Sequence, residues 1–344
     1  MRLTRLRIAA LVLLSVVAAT ALGIMVWSNA SIIVDETQPD PAVLLANEIG
    51  SGDIAYTEGY VGTVGQRIHY VTAGEGEPII FVHGFPSYWF TMFGLMEEFK
   101  LDYQVIAIDG LGTGRSDAPG DVEAYGIETL ISAIDRVVTE LDLGDVHLVG
   151  HDWGVALTTG YAQANPDKVK SLTAMSALPH NIVLSRIEND PSHQELFSYT
   201  DEFARANPAL IRVLGIKDQL FDSIYQPFLD DGLITEAQAE RFRQDIGNPR
   251  RLNRFIHWYR ANFPDTAEIT DDDFWPSRST PLTVPAVLIY GDEDPVVTDR
   301  LVEDFLASAD DLEVVVLAGV GHRPHFEQKD DVVEMIRDLI ADAN

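Results

Sequence analysis

Apolar positions recur along the chain in two forms. Short unbroken runs occur at Pro78 to Val82 (PIIFV), Gln104 to Asp109 (QVIAID), Val146 to Gly150 (VHLVG), Val169 to Met175 and Val284 to Gly291 (VPAVLIYG). Both alternating faces of such a run are apolar, so each predicts a strand buried on both sides. Between them, stretches such as Ile127 to Leu141 and Val155 to Ala164 carry apolar residues at helical spacing. This alternation predicts an α/β fold with a mostly parallel central sheet flanked by helices. Paired strands at Gly59 to Val64 and Arg67 to Thr72 precede the first run, and a strand at Val314 to Leu317 with an amphipathic helix at Asp330 to Ala343 closes the chain. Residues 178–276 break the alternation: they hold amphipathic helical stretches, among them Ser192 to Ala206 and Thr235 to Ile246, and no buried-strand run. They read as a helical lid inserted between a first core part, 56–177, and a second, 277–344. No internal repeat is present.

The first thirty residues address the protein. Arg2, Arg5 and Arg7 precede an uncharged stretch from Ile8 to Trp27, and about twenty residues rising roughly 1.5 Å each reach across a bilayer core. Two readings stay open. A signal anchor is favoured by apolar character running on through Ile24, Met25, Val26 and Trp27, whereas Ala19-Thr20-Ala21 has the small-x-small form of a signal-peptidase site. Either one places the remainder outside the cytoplasm, membrane-anchored or secreted/periplasmic. Residues 31–55, polar with scattered Pro and Gly, read as a linker.

Composition narrows the function. With 344 residues, 46% apolar and 23% charged, and 25 Gly and 17 Pro without a low-complexity tract, the chain is neither fibrous nor wholly disordered. Its 24 Lys and Arg against 54 Asp and Glu give a net charge of -30, which repels polyanions and excludes nucleic-acid binding. The same balance suits solubility in high salt, where repulsion is screened. The absence of cysteine excludes a disulfide framework, a thiol nucleophile and cysteine-ligated zinc.

The chemistry lies at strand ends. At Gly150-His151-Asp152-Trp153-Gly154 a strand runs into a helix through G-x-D-x-G, the form of a nucleophile elbow whose small flanking residues permit a sharp turn. Here the raised side chain is a carboxylate. A carboxylate attacks saturated carbon to form an alkyl ester, which disfavours serine-type acyl transfer. A helix-capping Asp is the competing structural reading. Asp294 follows a strand in Gly291-Asp292-Glu293-Asp294, and His322 follows the next in Gly319-Val320-Gly321-His322. Nucleophile, acid and histidine stand in the order of an α/β-hydrolase triad; Asp292 is the competing acid, and Asp294 is preferred for its greater reach. His83-Gly84-Phe85-Pro86, after the strand Ile79 to Val82, has the place of an oxyanion-hole turn, with Phe85 and Trp153 supplying the backbone N–H groups. His322 and His325 lie three apart without a third ligand, so no metal is expected.

Through HGFPSYWF at 83–90, GHDWG at 150–154, GDEDPVV at 291–297 and GHRPHFEQ at 321–328, the sequence from about residue 58 onward resembles the epoxide hydrolases of the α/β-hydrolase superfamily, in its Asp-nucleophile branch. The resemblance implies that Asp152 opens an epoxide to form an ester, which water activated by His322 and Asp294 then hydrolyses to a vicinal diol. It implies a small apolar epoxide and water as reactants, no cofactor, and two lid tyrosines that donate hydrogen bonds to the epoxide oxygen. Tyr259, in Ile256-His257-Trp258-Tyr259-Arg260, resembles the second of these and Tyr199, in Phe197-Ser198-Tyr199-Thr200-Asp201, the first, with Tyr225 and Tyr161 as competitors. His83, Pro86, Trp89 and Trp258 are the further substrate-binding residues it implies. Haloalkane dehalogenases are similar in GHDWG and in Gly112 to Asp117 and use the same nucleophile, but need N–H donors for a halide; Phe85 offers no side-chain donor, which leaves Trp153 and Trp258. Fluoroacetate dehalogenases share HGFP but carry Arg after the nucleophile, where this chain has Trp153. The segment Asp109-Gly110-Leu111-Gly112 departs from the epoxide hydrolases in lacking an Arg at 111. An exported binding protein that keeps the hydrolase fold without turnover is the reading from another class.

Overall fold

The computed structural model describes residues 30–206 and 216–344. Eight strands form one sheet: β1 (Thr57–Val61), β2 (Ile68–Ala73), β3 (Pro78–Val82), β4 (Gln104–Ile108), β5 (Val146–His151), β6 (Val169–Met175), β7 (Ala286–Gly291) and β8 (Leu312–Leu317). Their order is β1-β2-β4-β3-β5-β6-β7-β8. β2 runs antiparallel to both its neighbours, β1 and β4; every other pair is parallel. The apolar runs explain the layering. In β3, Ile80 and Val82 enter one hydrophobic cluster together with helices α3 (Ile127–Glu140) and α4 (Trp153–Ala164). Ile79 and Phe81 enter a second, with α2 (Phe93–Phe99) and the C-terminal helix on the other face. A strand covered on both sides has no solvated face to carry polar residues.

Two sequence expectations need correction. Residues 31–55 are no free linker: α1 (Pro41–Ile49) lies within them and buries Ala42, Val43 and Ala46 against the second cluster. Its start was legible as an Asp-Pro pair, since Asp40 caps the helix through the N–H of Ala42 and Pro41 fills the first turn. The stretch before it is pinned by a bridge between Ile32 and Ala118 and by the Val34 N–H on Asp117. The predicted helix Ser192 to Ala206 is two helices, introduced below, broken at Phe197. The expectation for Ile8 to Trp27 lies outside the described residues; among the described residues no helix is long and apolar enough to cross a membrane.

Between β6 and β7 the described elements are helical, from α5 (His180–Asn189), α6 (Pro191–Leu196) and α7 (Ser198–Arg205) through α8 (Ile216–Ile224), α9 (Gln226–Asp230) and α10 (Glu236–Ile246) to α11 (Pro249–Asn262). α11 buries nearly its whole circumference, including Arg254, Trp258 and Tyr259, because it runs between the sheet's loops and α7. α12 (Asp299–Ser308), α13 (Pro324–Glu327) and α14 (Lys329–Ala343) complete the chain.

Candidate active site

β5 ends at His151 and α4 starts at Trp153, leaving Asp152 alone to turn the chain. Its backbone sits at φ 53°, ψ -121°, a left-handed conformation that a residue with a Cβ adopts at a cost. The turn needs close backbone approach. A Cβ on Gly154 would stand 2.0 Å from the Val82 carbonyl oxygen, and one on Gly84 would stand 2.3 Å from Cβ of Asp152.

With Gly84 out of the way, the Phe85 N–H donates to Oδ1 of Asp152 at 2.6 Å. Oδ2 remains, 3.4 Å from Nε2 of His322. Nδ1 of His322 in turn lies 3.0 and 3.2 Å from the two oxygens of the buried Asp294. The competing Asp292 is exposed and accepts the Gly319 N–H at 2.7 Å, so it shapes the loop that carries His322 rather than orienting the ring. Burial disfavours charge on both central groups, yet they hold each other ionised. Desolvation raises Asp152, but the hydrogen bond and charge of His322, with the N–H groups of Phe85 and Trp153, bring it below its ordinary value. Desolvation lowers His322, but Asp152 and Asp294 raise it to about 9. An ionised carboxylate beside a cavity, held by backbone N–H groups on one side and by His322 on the other, is a nucleophile with a built-in oxyanion hole.

The cavity over Asp152 measures about 60 Å³ and is walled by apolar groups, among them Trp153, Leu178, Val183, Phe197, Phe263 and Val296, with Tyr199, Tyr259 and His180. Tyr199, on α7, and Tyr259, on α11, both feel the Asp152 charge, which together with burial pushes each hydroxyl above its ordinary value. They are therefore neutral donors. Tyr225 and Tyr161 drop out: the first donates to the Pro86 carbonyl at 3.2 Å and the second lies beside Asp135.

The structure does not bring the other sequence candidates to the cavity. Trp89 donates its indole N–H to the buried Asp40 at 2.8 Å and faces α1. Pro86 presents its carbonyl to Tyr225. His83 is enclosed, with Nδ1 on the Gly84 carbonyl and Nε2 receiving the Gly110 N–H, so it supports the oxyanion turn from behind. Burial holds it below its ordinary pKa and hence neutral. Trp258 is fully buried, stacked on His83 and edge-on to Trp153, with its indole N–H on the Leu111 carbonyl at 2.9 Å. These four are corrected from substrate-binding to supporting residues. An aromatic or His near a motif carries no sign of which way it points.

Sequence reasoning missed His180, which stacks on Trp153 and is held at about 4 by burial, and whose Nε2 meets the Asn262 carbonyl. Leu178-Pro179-His180, directly after a buried strand, was the available signal. It also missed His151, whose Nε2 lies 2.8 Å from the His322 carbonyl and so ties the base's loop to the strand of the nucleophile. Elsewhere, Asp40, Glu58 and His69 gather ligand atoms within 4.8 Å of one another, but His69 bridges Asp109 and Glu58 at 2.8 and 2.9 Å and those acids hold it protonated, at about 9 despite burial. An imidazolium between carboxylates is a salt bridge with no lone pair for a metal.

The described geometry has matches among known proteins. A family model described as alpha/beta hydrolase fold matches residues 77–329. The chain is 29% identical to mouse (Mus musculus) epoxide hydrolase 4 over 247 residues, 70% of this chain and 66% of that protein. It is 29% identical to mouse epoxide hydrolase 3 over 275 residues, 76% of this chain and 70% of that one. The solved structure of a Bacillus megaterium epoxide hydrolase in complex with an inhibitor superposes with a TM-score of 0.72 at 22% identity, covering 82% of this chain and all of that one.

Proposed function

The chain belongs to the α/β-hydrolase fold family, and on that premise we propose that it is an epoxide hydrolase, opening a small apolar epoxide to a vicinal diol through an ester on Asp152. One observation carries the reading: Tyr199 and Tyr259 line the same small cavity as Asp152. Oδ2 attacks a ring carbon, the C–O bond of the ring breaks, and the departing oxygen takes a proton from one of the two phenols while the other donates a hydrogen bond. A phenol, ordinarily near pKa 10, suits an alkoxide that is far more basic. Water then adds to Cγ of Asp152, giving one proton to His322; once the diol has left, the proton remaining on the new carboxyl makes good the one taken from the phenol. The charge on Oδ1 falls to the N–H groups of Phe85 and Trp153. The helices between β6 and β7 act as the lid that supplies the tyrosines and excludes bulk water.

Halide displacement uses the same nucleophile but requires two N–H donors facing the leaving group. The Trp258 indole N–H is occupied by Leu111, and Phe85 has no side-chain donor, which favours the epoxide. The apolar stretch Ile8 to Trp27 belongs to the proposal as an export segment, anchored or cleaved. N-terminal sequencing of the protein recovered from membrane and soluble fractions decides between the two, and recovery in the cytoplasm refutes both.

The deciding experiment is an intact-mass spectrum of the His322→Gln chain incubated with epibromohydrin. Blocking the water step is expected to leave an adduct with the bromine isotope doublet. An adduct lacking bromine means halide displacement, and no adduct with this or larger epoxides and halides means a fold without turnover.

A further inference from the structure

Arg323 follows the general base in the chain and turns inward, with 5% of its surface exposed. Its backbone N–H rests on Glu327 at 3.0 Å. Its guanidinium reaches the Phe85 carbonyl with Nη2 at 3.5 Å and stands 5.4 Å from the centre of the Tyr225 ring, while Nη1 has no hydrogen-bond partner among the described residues. No described carboxylate pairs with it, although the chain has thirty more acidic than basic residues. A guanidinium does not shed its proton in a protein, and a buried charge without a counter-charge is costly. Arg254, also buried, instead gives its guanidinium to the Ala30 carbonyl and to His257. The Arg323 charge is felt at the site: it is among the influences that draw Tyr259 downward against burial.

We propose that Arg323 is a positioning residue of the oxyanion hole, its uncompensated positive charge fixing the Phe85 backbone and stabilising the negative charge that forms on Oδ1 of Asp152 during ester hydrolysis. The inference rests on the aspartyl-ester reading above. In the hydrolytic step the water oxygen bonds to Cγ of Asp152 and its proton passes to Nε2 of His322. The Cγ–Oδ1 electron pair retreats onto Oδ1, then returns as the Cγ–O bond to the diol breaks, and the leaving oxygen takes the proton from His322. Charge therefore builds beside Phe85 in this step. In the first step charge leaves Asp152 for the epoxide oxygen, which faces the tyrosines. A cation behind the hole steadies the carboxylate before that attack and gives no help during it. Removing Arg323 must slow hydrolysis and leave ester formation unchanged or faster. A purely structural role slows both.

The experiment is rapid-quench intact-mass spectrometry of the full chain mixed with epibromohydrin, with wild type, Arg323→Met and Arg323→Lys compared. Arg323→Met is expected to lose about 10-fold in the rate of ester hydrolysis, less than the loss on deleting a direct oxyanion donor, with ester formation at least as fast as in wild type. More of the enzyme is then ester at steady state. Arg323→Lys, which keeps the charge, is expected to recover at least half of that loss on a logarithmic scale. Equal slowing of both steps, unchanged hydrolysis, or a lysine variant no better than methionine overturns the inference. If the methionine chain does not fold, the lysine chain is read alone, and a slowing not confined to hydrolysis overturns it. A wild-type chain that forms no ester at all overturns the function on which the inference rests, and is thereby told apart from failure of the inference alone.

Discussion

Neutralising Asp152 releases His322 as a base, and the size of that release can be worked out from the site. In the resting protein two acids, Asp152 at 3.4 Å and Asp294 at 3.0 Å, raise His322 from an ordinary 6.5 to about 9 against the opposing effect of burial. That rise corresponds to roughly 3–4 kcal/mol at about 1.4 kcal/mol per pH unit. Imidazolium is the wrong form for taking a proton from water. Ester formation removes the Asp152 charge, however, and one close opposite charge is worth about 1–3 pH units, so His322 must fall to about 6–8 once the ester exists. The Asp152→Asn chain is the stable mimic, because its amide has the ester's neutrality and nearly its shape. Long-range 1H–15N NMR titration, with His322→Gln used to assign the resonance, is expected to show His322 titrating at least about one unit lower in Asp152→Asn than in wild type. A His322 that still titrates near 9 in the asparagine chain would refute the coupling, and with it the idea that alkylation of the nucleophile switches on the base.

On the proposed mechanism the tyrosines share the first step, so Tyr259→Phe is expected to slow ester formation by about 100-fold, as loss of one donor to a developing oxyanion does, and the Tyr199→Phe, Tyr259→Phe double variant further, both read by rapid quench. Unchanged ester formation in the single variants would remove the tyrosines from the mechanism. Gly84→Ala is expected to abolish diol formation, because the added Cβ meets Asp152 at 2.3 Å, while far-ultraviolet circular dichroism stays that of the wild type. His69 sets an alkaline limit to stability: its folded pKa of about 9 exceeds the unfolded 6.5, so its contribution is complete below pH 6.5 and lost as pH rises through 9. Urea titrations at pH 6.5 and 9.5 are expected to show a smaller alkaline loss in His69→Gln than in wild type, and an equal loss would contradict the salt-bridge assignment. Asp40→Ala is expected to cost about 1–2 kcal/mol in the same assay, since one carboxylate caps α1 and holds the Trp89 indole.

Local sequence determined the layers, because burial on both faces of a strand leaves no freedom of composition: PIIFV and VHLVG had to be central. It determined the elbow as well. Glycines at 150 and 154 flank a lone Asp152 and mark the sharp turn locally, whereas the approach of Gly84 to Asp152 and of Gly154 to Val82 is made by neighbouring strands of the sheet. The order of nucleophile, acid and histidine was legible as well, each residue following its own strand. Tertiary structure alone decided matters of direction and distance. Asp294 and Asp292 differ by two positions, and their loop turns one toward His322 and the other toward Gly319. Tyr199 and Tyr225 are both lid-region tyrosines in the sequence, but only Tyr199 lines the cavity over Asp152, whereas Tyr225 caps a short helix and spends its hydroxyl on the Pro86 carbonyl. Trp89 and Trp258 carry indole N–H groups that sequence allows to point at substrate, but each is satisfied by a buried oxygen at 2.8 or 2.9 Å. Pairings of this kind join residues about fifty to one hundred and fifty positions apart. No periodicity or spacing records them, since they arise only when distant segments pack together and each buried polar group must find a partner.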